Sequence, residues 1–247
     1  MRNFIILYLL TFTLNSFGQY PFEKYPAIKY KVYKDWKVYN TNGKEKKTEF
    51  ILTIPKFYDK IDSLTLVLTS FAGKWDSSYI TVFKNGKQIQ RFFEPMLFYE
   101  TNLFEPIMLA DVNGDNLQDI KLIVPYMGNG TASLNTRVIY LFQQKDKNFI
   151  KISFMDKMSD NRPERDFNGD GNYEVITMTL TSYQYHSYWS FNLFNFKKND
   201  FVSTNNKYNY PILIQFLNRD NFKITNKISR QKMKDFGQTK PADYDRK

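Results

Sequence analysis

The chain has 247 residues, enough for one large β domain or two small ones, and its formal net charge is +10. It has no cysteine and one histidine, His186, which excludes disulfides, thiol catalysis, zinc–thiolate sites and histidine-rich metal sites. The lysines are scattered through turns and form no dense basic stripe with stacking aromatics, so we predict that the protein does not bind nucleic acid.

Residues 1–18 have the features of a secretory signal peptide. Arg2 supplies the positive charge, an apolar run extends over 4–14, and the small residues Ser16 and Gly18 precede a cleavage point after Gly18. This run is shorter than the roughly 20 residues that span a bilayer. We predict export to the periplasm or the medium, with no transmembrane segment after cleavage. An uncleaved N-terminal anchor is the alternative.

Aromatic residues make up 18% of the chain, and such side chains favour the half-buried surfaces of strands. Three segments, 60–95, 106–155 and 163–204, share the order strand, loop, strand, tight polar turn, strand, and a shorter segment follows at 208–226. A unit of about 50 residues cannot bury both of its faces alone, so such units must pack on one another. We therefore predict one all-β repeat domain over 19–226, built as a sandwich or a small propeller-like array.

Residues 227–247 are rich in charged and polar side chains, and helical periodicity is weak in them. Segments of this kind at the end of a domain are commonly frayed. We predict a polar C-terminal tail with at most a short helix over 229–235.

Two acidic loops, 111–119 and 166–174, fit the pattern D-x-N-G-D-x-x-x-[D/E]. Calcium takes six to eight oxygen ligands, and positions 1, 3 and 5 offer side-chain oxygens, position 7 a backbone carbonyl and position 9 a closing carboxylate. Gly114 and Gly169 allow the sharp turn because glycine tolerates positive φ. The predicted calcium ligands are Asp111, Asn113, Asp115, Leu117 and Asp119 in the first loop, and Asp166, Asn168, Asp170, Asn172 and Glu174 in the second.

The loops match only the first half of an EF-hand, because position 12 is Leu122 or Thr177 instead of glutamate. Together with the apolar strand at 120–124, the glycine-rich 128–130 and the strand at 138–142, the first loop resembles the FG-GAP/VCBS family of calcium-loop β repeats. The resemblance covers roughly 104–204 and implies structural calcium sites in an exported β protein. Too few repeats are visible for a seven-bladed propeller. The alternative is a pair of Asp/Asn/Gly turns that bind no metal.

The layout also resembles exported bacterial calcium-binding lysozyme-inhibitor and immunity proteins, which place such a loop before a strand–loop–strand unit. This second resemblance implies a protein that blocks a cell-wall hydrolase. It is general in layout, and no inhibitory residue carries over from it.

Aromatic side chains in the loops are the candidates for a ligand-binding face, because Tyr and Trp give large and rigid contact areas. The alternative is that alternate members of the set face the core of a strand pair. The candidates are Trp75, Tyr183, Tyr185, His186, Tyr188 and Trp189.

A glycoside hydrolase needs two carboxyl groups about 5–10 Å apart. The acids outside the loops show no such pairing by spacing; they are Glu94, Glu105, Asp156, Asp160 and Glu164. His186 lacks a nucleophile motif such as G-x-S-x-G. We therefore predict a non-enzymatic, calcium-stabilised protein that binds a protein or glycan of the cell envelope. The rivals are a periplasmic inhibitor of a lysozyme-like hydrolase and a secreted polysaccharide hydrolase.

Overall fold

A computed structural model describes residues 20–42, 46–74, 77–103, 105–126, 128–158, 161–217 and 227–247. The predicted signal peptide over 1–18 lies outside these residues. The described part is all-β, as predicted, and its strands form three antiparallel sheets, none of them closed into a barrel. Its helices are single turns, and none is long and apolar enough to cross a membrane.

Most of the described elements are strands, joined by turns and by several longer segments. The strands are β1 (Lys31–Tyr33), β2 (Lys37–Asn42), β3 (Lys46–Tyr58), β4 (Asp62–Phe71), β5 (Ser78–Lys84), β6 (Lys87–Glu94), β7 (Ile107–Ala110), β8 (Asp119–Pro125), β9 (Asn135–Gln143), β10 (Phe149–Lys157), β11 (Val175–Tyr183), β12 (His186–Lys197), β13 (Asp200–Ser203), β14 (Ile212–Gln215) and β15 (Ala242–Arg246). The helices are α1 (Asn205–Tyr208) and α2 (Arg230–Met233), with 3-10 turns at Glu100–Asn102, Gly130–Leu134 and Lys234–Phe236.

The first sheet has the order β2-β3-β4-β5-β6, and the middle sheet has the order β1-β7-β8-β9-β10-β15. The third sheet has the order β11-β12-β13, with β14 paired to β12 beside β13. The segments 60–95, 106–155 and 163–204 thus contribute consecutive antiparallel strands to three different sheets. Their equivalence as repeats stays a prediction. The strand at 212–215 joins the third sheet and forms no unit of its own.

The middle sheet is buried on both faces, which gives the molecule a sandwich-like arrangement of three layers. Leu109, Ile120 and Leu141 pack against apolar side chains of the first sheet. Met108 and Phe142 point the other way and pack against apolar side chains of the third sheet. A strand buried on both faces has an almost continuous apolar sequence, which explains the run in β8.

The predicted polar tail needs a correction. Ser229 caps α2 by accepting the N–H of Lys232 at 3.2 Å, in agreement with the short helix expected there. Beyond it, β15 pairs with β10 and completes an edge of the middle sheet. The physical reason is the unpaired edge of β10, together with an ion pair of 2.6 Å between Asp245 and the buried Lys151. The amino-acid composition of 227–247 gives no indication of either interaction.

Candidate functional site: the paired acidic loops

The first acidic loop connects β7 to β8 and is held by its own carboxylates. Asp111 Oδ1 accepts the N–H of Gly114 at 2.8 Å, and its Oδ2 accepts the N–H of Asn116 at 2.7 Å. Asp115 Oδ1 accepts the N–H of Leu117 at 2.8 Å. The chain therefore wraps around the carboxylate at position 1, and the side chains at positions 1 and 5 fix the turn.

The second loop, which leads into β11, repeats this pattern. Asp166 Oδ1 accepts the N–H of Gly169 at 2.6 Å, and its Oδ2 accepts the N–H of Gly171 at 3.0 Å. Asp170 Oδ1 accepts the N–H of Asn172 at 2.9 Å. The glycine at position 4 has a φ of 75° in the first loop and 74° in the second, so the predicted backbone requirement is met in both.

The closing carboxylates at position 9 point inward. Asp119 is 0% exposed, and its two oxygens accept the N–H groups of Val112 at 2.9 Å and Gln143 at 3.0 Å. Glu174 is 1% exposed and accepts the N–H of Phe167 at 3.2 Å. Each closing residue thus joins the start of its loop to the adjacent sheet.

Burial raises the pKa of Asp119 well above its usual value, hydrogen bonds from Val112 and Gln143 oppose this rise, and the charges of Asp115 and Asp111 add to it. Burial also raises the pKa of Glu174, against a hydrogen bond from Phe167. Crowded carboxylates of this kind repel one another, and a bound cation relieves that repulsion.

The two loops lie in contact, which the sequence did not predict. The N–H of Tyr173 donates to the carbonyl of Val112 at 2.9 Å. A Cβ at Gly114 would lie 3.0 Å from the carbonyl oxygen of Gly171, so glycine is required there by close approach as well as by φ. The sequence gives no clear signal for this contact, because the motif already requires Gly114 at position 4 and leaves the position of Gly171 variable.

The donor chemistry of the loops fits a hard cation, since every predicted side-chain donor is a carboxylate or amide oxygen. Within the described ranges, no group of three or more His, Cys, Asp or Glu side chains converges closely enough to hold a metal ion. A calcium site would therefore have to include amide and carbonyl oxygens, such as those of Asn113 and Leu117. Asp111 Oδ1 and Asp166 Oδ1 each accept two backbone N–H groups, whereas each Oδ2 accepts one and retains a second lone pair for a cation.

The predicted aromatic ligand face does not form one surface. Tyr185 is fully exposed at the tip of the β11–β12 hairpin, whereas Tyr188 is 1% exposed and packs with Leu213. Trp189 points to the opposite face of β12 and lies 5.0 Å from the ring of Phe216. The other described members are Tyr183, whose ring is 6.2 Å from that of Phe236, and the half-buried His186. Trp75 lies outside the described residues.

Three of the five acids considered for catalysis are buried and paired with cations. Glu94 lies 2.7 Å from Arg137, Asp156 lies 2.5 Å from Arg162, and Glu164 lies 2.7 Å from Lys121. Glu105 is half-buried, and Asp160 lies outside the described residues. Each of the three buried carboxylates thus belongs to an internal ion pair between elements of the fold.

Comparison with protein-family models, with curated proteins and with solved structures gave no match for this chain. The resemblance to calcium-loop β repeats therefore depends on the motif residues alone. The fold and the loops define the class of the molecule as a layered all-β protein with two adjoining acidic loops.

Proposed function

We propose that this protein is an exported, calcium-stabilised binding protein without catalytic activity, which recognises a protein or glycan partner in the cell envelope. One observation carries the proposal. Two loops of the same sequence pattern fold in the same way and contact each other where the middle sheet meets the third sheet. A pair of metal loops at this position would hold the two sheets in a fixed relative orientation.

The residues of this chain that would hold calcium are the oxygen donors of both loops, with Asp111, Asp115, Asp166 and Asp170 supplying the negative charge. The ion would supply positive charge to a crowded group of carboxylates. Calcium outside the cytosol is plentiful, so a site with a Kd of about 10⁻⁴–10⁻³ M would be occupied there. A propeller-like relation to FG-GAP/VCBS repeats is part of the same proposal, supported by three consecutive antiparallel sheets packed face to face.

The ion pairs of the buried acids favour a binding function over a catalytic one. Glu94, Asp156 and Glu164 are all engaged with Arg or Lys side chains between structural elements. A general acid for glycoside hydrolysis must reach its substrate in a cleft. Carboxylates tied into internal ion pairs serve the fold instead.

Thermal unfolding of the purified protein in calcium and in chelator tests the metal. Calcium at about 100 times its Kd stabilises by about 2.7 kcal/mol. For a chain of this size we expect a rise in Tm of about 5–10 °C. The double variant Asp111→Asn/Asp166→Asn should lose this rise, and Asp35→Asn, which removes an exposed acid outside the loops, should keep it.

Equal melting temperatures in calcium and in chelator would overturn the calcium role. The binding role is tested by affinity capture from native cell envelopes in calcium, followed by elution with chelator. Recovery of a defined envelope protein or glycan supports it. Hydrolysis of a polysaccharide by the purified protein would contradict it, and inhibition of muramidases at micromolar concentration would instead favour the inhibitor alternative.

A further inference from the structure

The outer face of the first sheet carries a row of aromatic side chains. The inner face of this sheet is core, but Phe71, Tyr79 and Phe93 project from the opposite side and are each only half-buried. The rings of Phe71 and Tyr79 lie 6.2 Å apart, and those of Tyr79 and Phe93 lie 6.1 Å apart, both edge to face. We call these three residues the aromatic strip. Tyr79 and Phe93 are direct cross-strand partners of β5 and β6, which explains their contact.

Each ring of the aromatic strip has a cation beside it. Lys74 Nζ lies 5.4 Å from the centroid of Phe71, and Lys247 Nζ lies 5.4 Å from that of Phe93. The guanidinium carbon of Arg91 lies 3.9 Å from the centroid of Tyr79. A cation over a ring is attracted by the negative face of its quadrupole, which helps to hold these side chains at the surface.

The charge on this face is unbalanced. Among the described residues that project from the outer side of these five strands, the one acid is Glu49, and Lys47 neutralises it at 2.5 Å. Lys37 lies in the same cross-strand row as Arg91, further along the face. Within the described ranges, the guanidinium of Arg91 makes no hydrogen bond or ion pair, and its fork of N–H donors matches a carboxylate or sulfate group.

Hydroxyl groups lie on the same face. The Oγ1 atoms of Thr53 and Thr65 are 2.9 Å apart and exposed, in the row that also contains Phe83. A hydroxyl both donates and accepts hydrogen bonds, which suits the mixed donors and acceptors of a sugar. An aromatic surface, the guanidinium of Arg91 and hydroxyl groups therefore lie together on one sheet face.

We propose that the outer face of the first sheet binds an anionic polysaccharide. Its carboxylate or sulfate groups pair with Arg91 and Lys247, and its sugar rings lie along the aromatic strip. Single-stranded nucleic acid fits less well, because the exposed hydroxyls of Thr53 and Thr65 suit the many hydroxyl groups of a polysaccharide, whereas a nucleic acid presents mainly phosphates and bases. A lipid surface fits less well because the half-buried rings do not protrude. This inference rests on the proposed binding function and names its partner class.

Binding to immobilised polysaccharides tests the inference. Polygalacturonate supplies carboxylate groups, and dextran sulfate supplies sulfate groups. Neutral dextran is the uncharged control, and single-stranded DNA and phosphatidylglycerol vesicles are the other polyanions. We expect saturable binding to at least one anionic polysaccharide, weakened by salt. Arg91→Gln/Lys247→Gln should weaken it about tenfold. Lys197→Gln, which removes an exposed lysine of the third sheet, should leave it unchanged.

The melting curves of all variants must match that of the wild type. A loss of binding can then be assigned to the substituted side chains and not to unfolding. Absence of binding to either anionic polysaccharide would overturn the inference, as would binding that the double variant leaves intact. Equal binding to DNA or to vesicles, lost in the same variant, would also overturn the assignment to a polysaccharide. Calcium-dependent stability without polysaccharide binding would reject this inference alone, whereas binding without any calcium effect would reject the calcium role alone.

Discussion

The middle sheet buries charge on both of its faces, but the two arrangements differ. Toward the first sheet, Glu94 of β6 lies 2.7 Å from Arg137 and 2.8 Å from Lys151, and Asp245 of β15 lies 2.6 Å from Lys151. We call these four residues the Glu94 cluster. It contains two cations and two carboxylates, and one of the carboxylates belongs to the last described strand.

Toward the third sheet lies the Glu164 cluster, made of Tyr30, Lys121, Tyr140 and Glu164. Lys121 Nζ donates to Glu164 at 2.7 Å, to the side chain of Asn161 at 2.9 Å and to the carbonyl of Arg162 at 3.1 Å. The hydroxyls of Tyr30 and Tyr140 both donate to the carboxylate of Glu164. All three donors of the ammonium group and both oxygens of the carboxylate are therefore satisfied.

The difference shows two uses of buried charge. The Glu94 cluster balances its two cations only when β15 is in place, so it favours the docking of that strand. The Glu164 cluster is neutral without β15, and Glu164 stands just before the second acidic loop. It ties the segment that enters this loop to β8 of the middle sheet. The side that carries the loops is thus fixed by the Lys121–Glu164 pair, whose hydrogen bonds are complete, and by the neighbouring pair of Asp156 and Arg162 at 2.5 Å.

The largest expected effect comes from breaking the Glu164 cluster. Glu164→Ala leaves Lys121 buried at 1% exposure without its counterion and removes the acceptor of two tyrosine hydroxyls. We expect a loss of about 3–5 kcal/mol in the free energy of unfolding, measured by urea denaturation. Asp235→Ala, which breaks an exposed pair with Lys232, should leave the free energy of unfolding nearly unchanged.

A second variant separates the missing charge from the missing volume. Lys121→Met/Glu164→Leu removes both charges and should recover most of the stability lost in Glu164→Ala, because no unpaired charge is then buried. A double variant as unstable as Glu164→Ala would show that the loss arises from packing, and the distinction between the two clusters would weaken.

Breaking the Glu94 cluster at β15 should have a smaller effect. Asp245→Ala removes one partner of Lys151, but Glu94 remains 2.8 Å from the ammonium group, and the side chain of Asp245 is already 25% exposed. We expect a loss of about 1.5–3 kcal/mol, the range for a hydrogen bond to a charged group, measured by the same denaturation. A loss equal to that of Glu164→Ala would contradict the view that the first cluster shares its charge among more partners.

The sequence predicted the features that depend on neighbouring residues. The strand β4, the turns of the acidic loops and the positive φ of Gly114 follow from local pattern, and all are present. It did not predict the contact between the two loops, because that contact depends on how the middle and third sheets pack. Tyr188 was a candidate for the ligand-binding face but is buried, because an aromatic side chain in this pattern fits a binding loop and a core equally well.

Buried charge was the least predictable feature. Lys121 interrupts the apolar run 120–124 of β8, and its partner Glu164 comes from a distant segment that gives no local signal. The strand β15 was missed for a related reason. Its polar composition indicates a solvated tail, whereas its place in the sheet comes from main-chain hydrogen bonds and one ion pair to β10.

The smallest expected effect is a dependence of stability on pH that arises from the Glu164 cluster. Burial alone would raise the pKa of Glu164, but the attraction of Lys121 and hydrogen bonds from Lys121, Tyr140 and Tyr30 outweigh it and hold that pKa below its usual value. A carboxyl group whose pKa is lower in the folded state contributes stability above its unfolded pKa of about 4.3. That contribution is lost as the pH falls through the folded value.

We therefore expect the difference in unfolding free energy between the wild type and Glu164→Gln to be constant near neutral pH and to shrink in acid. Burial and the charge of Glu164 raise the pKa values of Tyr30 and Tyr140 well above their usual range, so both hydroxyls remain donors and no matching loss occurs at mildly alkaline pH. Urea denaturation in a series of buffers from neutral to acid measures this difference. A difference that stays constant in acid would mean that Glu164 is not held in its charged form by the cluster.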